Sequence, residues 1–314
     1  FIDRESGFTE IHLFDPVDHL LLQKIKKMAI HYQVQLKIHP TPNFITPLED
    51  LEKYAKGKKK FFHYHFYEWQ KKRMGILQGI KSKDYENRQP PPREGIKIPD
   101  LPDNPDLQLE YVDQAKKYVK KIFGKNYGNV EDFIYPITHK TSEEWFVHFL
   151  ENRFKHFGKY QDAILPDEPF MFHSVISPML NIGLLSPQWI VNQVTKYYQA
   201  KKISMNNYEG FIRQIIGWRE YSRFLYMVAY KQIKNGNYFQ NHKKLNKKWY
   251  RGTTGIRPVD ETIKSAFKYG YLHHILRLMV MGNFMNLCHL HPDQVYQWFM
   301  EFSCDSYDWV MANN

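Results

Sequence analysis

One apolar stretch of the sequence concentrates imidazole and guanidinium groups. Residues 270–284 are GYLHHILRLMVMGNF, which places His273 four residues and His274 three residues before Arg277. On a helix these three polar groups meet on one otherwise apolar element. Burying them costs on the order of several kcal/mol unless a ligand or a counter-charge answers them. The cluster therefore favours a functional site, and Asp305, after the next helix, is the acid expected to pair with Arg277.

A second segment combines hydroxyl groups with a helix start. Residues 172–187 are FHSVISPMLNIGLLSP, with Ser174 and Ser177 just before a helix that Pro178 is suited to begin. Hydroxyls and free amide groups at a helix N-terminus can bind phosphate. An ordinary serine cap explains the same pattern, so the segment alone leaves both interpretations open.

A third segment, FIRQIIGWREYSRFLY at residues 211–226, predicts an amphipathic helix. Its stacking and hydrogen-bonding side chains are Arg213, Gln214, Trp218, Arg219 and Glu220. They suit a flat ring system with polar edges. The alternative is a helix with a solvent-exposed polar face and internal ion pairs.

The elements that position these groups fall into two kinds. Alternating residues predict strands at Phe8–Phe14 and Val34–His39, and helical spacing predicts helices at Val17–Tyr32, Pro47–Lys56 and Phe61–Leu77. This order is typical of a parallel α/β layer. Since two strands make no stable sheet, we expect the rest of it upstream of Phe1.

The remainder of the chain is predicted to be helical. Residues 79–104 are rich in Pro, Gly and charge and predict a connector. Helices are expected at Leu107–Phe123 and Ser142–Phe157, and no strand is predicted beyond Pro166. The predicted organisation is a partial α/β domain at 1–78, a connector at 79–132 and a helical domain at 133–314. Both ends of the chain are expected to be truncated, because Phe1 is not an initiator and no stop signal precedes Asn314.

Composition narrows the class of protein. Lys and Arg outnumber Asp and Glu by 44 to 33, for a net charge of +11, which favours nucleic acid as a partner or a generic lysine-rich surface. Two cysteines are too few for a disulfide scaffold or a four-cysteine metal site. His63 and His65 point in different directions on a helix, so no metal is expected there. No secretory leader or membrane span is evident, which favours a soluble intracellular protein.

Taken together, the motifs resemble those of cryptochromes and photolyases. The segment at 172–187 resembles their serine-rich phosphate-binding segment, GWREY their Trp-Arg-Glu helix, TTGIRPVDETI at 253–263 their Thr-Gly segment, and GYLHHILRLM their active-site helix. YENRQPPP and YQDAI are similar to the bacterial-type branch known as deoxyribodipyrimidine photolyase-related, which is six-four photolyase-like. The resemblance implies a truncated Rossmann-like α/β antenna domain followed by a helical FAD-binding domain.

The resemblance also implies a U-shaped FAD. By motif position its contacts are Ser174 and Ser177 at the phosphates, Gln214 and Arg219 along the cavity, and Arg277 and Asp305 beside the isoalloxazine. The antenna chromophore is not identified by these residues. An iron–sulfur cluster is not supported, because Pro258 occupies the position of the first expected cysteine and the other three positions lie past Asn314.

The implied activity is blue-light-driven repair of UV-damaged DNA, in which reduced flavin passes an electron to a flipped-out pyrimidine lesion. The His-His pair resembles that of enzymes acting on six-four photoproducts. We therefore expect His273 to donate a proton and His274 to position it.

Trp298 resembles the flavin-proximal member of the family's photoreduction chain, with Trp249 or Tyr250 further out. Phe299 stands where relatives often have Tyr. A cryptochrome-type photoreceptor without repair activity and an inactive fragment remain alternatives. The expected location is the cytoplasm, nucleoid or nucleus, and the expected state is a monomer that neither contacts a membrane nor binds a metal.

Overall fold

The computed structural model describes residues 8–92 and 96–313. Its first unit is a two-stranded parallel sheet of β1 (Glu10–Phe14) and β2 (Gln35–His39), in register from Glu10 opposite Gln35 to Phe14 opposite His39. Helix α1 (His19–His31) makes the crossover, and the Asp18 side chain caps it by accepting from the amide of Leu21. The predicted strand, helix, strand order is confirmed.

Helices make up most of the remaining chain. The first group is α2 (Leu48–Ala55), α3 (His63–Met74), α4 (Glu110–Phe123), α5 (His139–Asn152), α6 (Phe154–Tyr160), α7 (Ser177–Asn181), α8 (Pro187–Ala200) and α9 (Met205–Ile212). The second group is α10 (Glu220–Lys234), α11 (Lys248–Arg251), α12 (Arg257–Tyr269), α13 (Asn283–Leu287), α14 (Pro292–Phe302) and α15 (Asp308–Met311). Short 3₁₀ turns lie at Asp84–Asn87, Pro105–Gln108 and Val130–Asp132.

All five predicted helices have different boundaries in the structure. Three are one to three residues shorter at each end, namely those predicted at Val17–Tyr32, Pro47–Lys56 and Phe61–Leu77. The helix expected at Ser142–Phe157 begins earlier, where Thr138 caps α5, and is interrupted at Arg153 before α6. The helix expected from Leu107 begins with a 3₁₀ turn, because Asn104 caps the turn at Pro105 and α4 starts only at Glu110. Within the predicted connector, residues 93–95 lie outside the described residues.

Two segments that the sequence predicted as ordinary helix are π-helical. These are Arg213–Arg219, between α9 and α10, and Ile275–Gly282, just after His274. In each of these segments, here called π-turns, the backbone hydrogen bonds join residues five apart instead of four. Such segments are frequent at functional sites. Both turns lie in the motifs that carry the candidate chemistry.

The α/β layer is fastened to the helical part by buried hydrogen bonds. The Glu220 carboxylate, fully buried, accepts from the backbone amides of Ile45 at 2.8 Å and Thr46 at 3.1 Å. The Tyr67 hydroxyl of α3 donates to Glu209 at 3.0 Å across the same boundary. Helix α3 also packs against the π-turn at Arg213–Arg219 and forms one side of the candidate site.

Apolar packing forms a main core around α5, α6, α8 and α9 and a second core around Trp298. Among residues 8–92 and 96–313, no helix has both the length and the apolar character needed to cross a bilayer.

Candidate functional site

A cavity of about 630 Å³ lies between α3, α7 and the two π-turns. This volume is within the roughly 300–1,000 Å³ range of small-molecule and cofactor sites. Seven of the predicted site residues line it: Ser174, Ser177, Gln214, Arg219, His274, Arg277 and Asp305. Residues far apart in the sequence are thus brought to one cavity.

The expected pair of Arg277 and Asp305 is present at the cavity wall. Arg277 Nη2 donates to Asp305 Oδ1 at 3.0 Å, and both side chains are more than nine-tenths buried. Burial acts to raise the pKa of Asp305, but the guanidinium and hydrogen bonds from Ser177 and Ser303 outweigh it and hold the pKa below its usual value. Arg277 Nε is buried without a partner among the described residues, so one donor remains for a ligand.

The serine segment does not behave as a simple helix cap. The residue at the cap position before α7 is Ile176, whose side chain makes no cap hydrogen bond, and Ser177 is the first residue of the helix. Its hydroxyl instead bonds to Asp305. Ser174 also lines the cavity. The alternative of an ordinary serine cap is therefore not supported at Ser177, while the phosphate-binding role stays a prediction.

Arg219 lines the cavity. Its Nη1 donates to Asn181 Oδ1 at 2.5 Å, and its guanidinium lies 4.8 Å from the ring centres of both Phe44 and Trp309. Burial lowers the pKa of Arg219 to about 10, and its Nε has no partner among the described residues. Gln214, nearby, contacts Gln161 Oε1 at 3.4 Å. Arg219 and Gln214 therefore line the same cavity, as predicted from the sequence.

Three imidazoles, rather than the two expected, form a cluster beside the cavity. The rings of His173 and His273 are stacked with centres 4.6 Å apart and planes 11° apart. His273 Nδ1, His273 Nε2 and His173 Nε2 have no hydrogen-bond partner within the described part of the chain. Because in-plane lone pairs of nearly parallel rings do not converge, we assign no metal ion to this cluster, although its ligand atoms lie within 4.8 Å of one another.

His273 and His274 occupy different environments. His274 lines the cavity, and its Nε2 lies 3.0 Å from Asp162 Oδ1. His273 is only 2% exposed, is not a residue of the cavity wall, and stacks on His173. Burial, then the charges of His274 and Arg277, lowers the pKa of His273 to about 3. His273 is therefore neutral at physiological pH, and of these two neighbours only His274 lines the cavity.

The buried imidazoles predict an acid-sensitive fold. Burial holds the pKa of His173 well below 6.5 and that of His273 at about 3, so below pH 6.5 the unfolded chain takes up protons that the folded chain does not. The free energy of unfolding should therefore fall as the pH drops from 6.5, by up to about 1.4 kcal/mol per pH unit for each histidine. Urea unfolding at pH 7.5 and 5.5 measures this fall.

A matched comparison separates these histidines from the rest. His273→Asn should flatten the dependence on pH, whereas His31→Asn, at an exposed position, should leave it unchanged. Equal stability of the parent protein at both pH values would contradict the assignment of buried neutral imidazoles.

The expected photoreduction residues lie together in the second core, outside the cavity lining. Trp298 is fully buried and its indole N–H donates to the backbone oxygen of Trp249 at 2.9 Å. Tyr250 packs against the same core, and burial, followed by a hydrogen bond with Glu301, raises the pKa of Tyr250 to about 12. The three residues form a continuous group, but none of them is a residue of the cavity wall.

Sequence reasoning missed four residues of the site. His63 of α3 stacks on Trp218 with ring centres 3.7 Å apart, and burial lowers the pKa of His63 to about 4. His173, Asp162 and Trp309 also contribute to the cluster or the cavity. His173 and Asp162 lay inside motifs already singled out, so their positions offered a signal; Trp309 offered none.

Comparison with known proteins gives two family matches. Residues 2–135 match the model for deoxyribodipyrimidine photo-lyase-related protein, and residues 210–314 match that for the FAD binding domain of DNA photolyase. The chain is 30% identical over 319 residues to a (6-4) photolyase of Agrobacterium fabrum, covering 98% of this chain and 61% of that relative. The chain is therefore similar to photolyases at both ends of its length.

Further comparisons give another relative and two solved structures of the same fold. The uncharacterized protein R853 of Acanthamoeba polyphaga mimivirus is 48% identical over 112 residues, which cover 35% of this chain and 85% of R853. A class III photolyase from Agrobacterium tumefaciens and a cryptochrome from Synechocystis sp. PCC6803 share the fold, with TM-scores of 0.61 and 0.65 at 17% and 16% identity. The alignments cover 98% and 97% of this chain and 61% of each structure, so the chain spans about three fifths of their length.

Proposed function

We propose that this protein binds FAD and uses blue light to repair six-four photoproducts in DNA. The observation that carries the proposal is the cavity wall on which the buried Arg277–Asp305 pair and the His274–Asp162 pair lie together. One pair suits a flavin ring with polar edges, and the other supplies a proton-transfer group beside it.

The cavity fits FAD in size and in the groups it offers. Arg277 Nε and Arg219 Nε are buried donors without partners among the described residues, and leaving such donors unpaired costs on the order of 1–3 kcal/mol each. Ser174 and Ser177 would hold the phosphates, and Arg277 with Asp305 would flank the isoalloxazine. When bound, FAD supplies the light-driven electron transfer.

The DNA lesion would enter at the mouth of this cavity. Three large side chains that line it remain accessible to solvent: Tyr64 is 61%, Trp218 is 44% and Met279 is 59% exposed. Exposed aromatic faces suit stacking on an unpaired base, worth about 1–3 kcal/mol per base. The net charge of +11 favours the phosphate backbone.

Within this function we propose His274, rather than His273, as the proton donor. His274 reaches the cavity and has a carboxylate partner, whereas His273 is sealed behind it. His273 and His173 would then hold His274 in position through their edge-on ring contacts with it. This exchanges the roles expected from the sequence.

Repair selectivity tests the proposal. The FAD-reconstituted protein should restore an oligonucleotide carrying one six-four photoproduct under blue light and leave it unchanged in the dark. A cyclobutane dimer in the same sequence is the matched control and should be repaired much more slowly. Bound FAD with no light-dependent repair of either lesion would contradict the repair function and favour the photoreceptor alternative.

A further inference from the structure

Three nearly parallel rings form a stack at one side of the cavity. The His63 ring lies 3.7 Å from the Trp218 ring with planes 7° apart, and 6.1 Å from the Tyr67 ring with planes 9° apart. All three residues line the cavity, but Trp218 is 44% exposed whereas Tyr67 is 1% exposed. The stack therefore runs from solvent at the cavity mouth into the protein interior.

The inner end of the stack is fixed by a buried carboxylate. The Tyr67 hydroxyl donates to Glu209 Oε1 at 3.0 Å, and Glu209 is fully buried. The Arg213 guanidinium pairs with the same carboxylate oxygen at 3.3 Å. Because Arg213 begins the π-turn that carries Trp218, both ends of the stack are tied to one short segment.

Gly217 allows the imidazole to lie this close to the π-turn. A β-carbon at position 217 would lie 2.9 Å from His63 Nε2 and 3.2 Å from Tyr67 Cδ2. The first distance is shorter than side chains tolerate, so a larger residue would push the imidazole away. The contact between His63 and Trp218 therefore depends on the glycine directly before the indole.

The His63 ring contributes a flat surface rather than a charge. Its Nε2 is buried and has no hydrogen-bond partner among the described residues, so this nitrogen adds no polar contact to the fold. Burial, then the charge of Arg213, lowers the pKa of His63 to about 4, and the ring is neutral near pH 7. What the imidazole provides at this position is ring contact with Trp218.

One face of the Trp218 indole is left for a ligand. His63 covers the other face, and Tyr221 meets both rings edge-on, at 5.5 Å from His63 and 6.2 Å from Trp218. In the part of the chain that the structure describes, no second ring is stacked on Trp218. An indole that is covered on one face and open on the other is a platform for a planar group.

We propose that His63 is a positioning residue that holds the Trp218 indole in place, so that its free face stacks on an unpaired pyrimidine of DNA. This inference rests on the proposed function, because it needs a flipped-out lesion at the cavity mouth. An indole that is already fixed loses less conformational entropy when the base arrives, which strengthens binding. The adenine of FAD is the other planar group that the platform could accept, and the experiment separates the two.

The affinity for damaged DNA is the direct readout. Dissociation constants are measured in the dark, with FAD-loaded protein, for a duplex carrying one six-four photoproduct and for the same duplex undamaged. His63→Ala should weaken binding of the damaged duplex by about 3–10-fold and leave binding of the undamaged duplex unchanged. The repair rate at saturating lesion should stay within about twofold of the parent rate, because only binding is affected.

A double-mutant cycle shows whether His63 acts through Trp218. Trp218→Ala alone should weaken binding of the damaged duplex by about tenfold or more, since the stacking surface is removed. Adding His63→Ala to Trp218→Ala should have no further effect. Additive losses would overturn the proposal, because the imidazole would then act without the indole.

His19→Ala provides the matched control. The His19 ring also stacks on an aromatic ring, that of Tyr226 at 4.6 Å, but neither residue lines the cavity. This variant should leave both dissociation constants unchanged.

Three outcomes would contradict the account at different levels. Equal affinity of the parent protein and His63→Ala for the damaged duplex, with FAD bound in both, overturns this inference alone. Reduced FAD occupancy in His63→Ala, with its preference for damaged DNA intact, also overturns it and assigns the platform to adenine. A parent protein that binds both duplexes equally contradicts the inference and the proposed function together.

Discussion

Replacing His274 with alanine is expected to lower the rate of six-four repair by about 10²–10⁴-fold, the usual contribution of a positioned acid or base. His274 lines the cavity and carries a carboxylate partner 3.0 Å away in Asp162. The variant should still bind FAD, because the Arg277–Asp305 pair is untouched. Repair is measured under blue light with saturating lesion, and FAD content by absorbance.

Three further variants sharpen this test. Asp162→Asn should reduce repair less than His274→Ala, since the imidazole remains. His31→Ala changes an exposed histidine and should leave the rate unchanged. His273→Ala separates the two role assignments: it should slow repair less than His274→Ala does, and complete loss in His273→Ala beside near-normal repair in His274→Ala would restore the assignment first made from the sequence.

Replacing Arg277 with alanine is expected to destabilise the fold by about 3–5 kcal/mol, because it leaves the Asp305 carboxylate buried without its counter-charge. Against a total stability of roughly 5–15 kcal/mol this is a large loss. FAD occupancy should fall as well, since Arg277 Nε is a donor with no protein partner among the described residues. Urea unfolding and FAD absorbance measure the two effects.

An exposed ion pair supplies the control for Arg277. Lys264 and Glu261 are also 3.0 Å apart, but both side chains are more than half exposed, so Lys264→Ala should cost no more than about 1 kcal/mol. The double variant Arg277→Met with Asp305→Leu should recover most of the stability without recovering FAD binding. Full FAD occupancy in a folded Arg277→Ala protein would show that the arginine is structural only.

Local patterns were sufficient to predict the regular elements. The alternation in residues 8–14 and 34–39 predicts two strands, and the helical spacing between them predicts a crossover helix, the connection that a parallel pair needs. Charge balance likewise identified the pair of Arg277 and Asp305, because a guanidinium in an apolar helix needs an acid nearby.

Other features depend on tertiary packing and could not be predicted. The π-turns at Arg213–Arg219 and Ile275–Gly282 leave an apolar spacing that cannot be told from ordinary helix. The contact of His274 with Asp162 joins residues 112 positions apart. Whether His273 or His274 faces the cavity is decided by the stack of His173 on His273, and neighbouring positions in a sequence do not reveal which side chain is covered.

FAD binding is decided by the absorption spectrum of the protein after incubation with FAD and removal of free FAD. We expect about one bound FAD per chain with a structured flavin spectrum, and a large loss of it in Arg277→Ala but not in Lys264→Ala. A folded parent protein that emerges colourless would show that the cavity does not hold FAD.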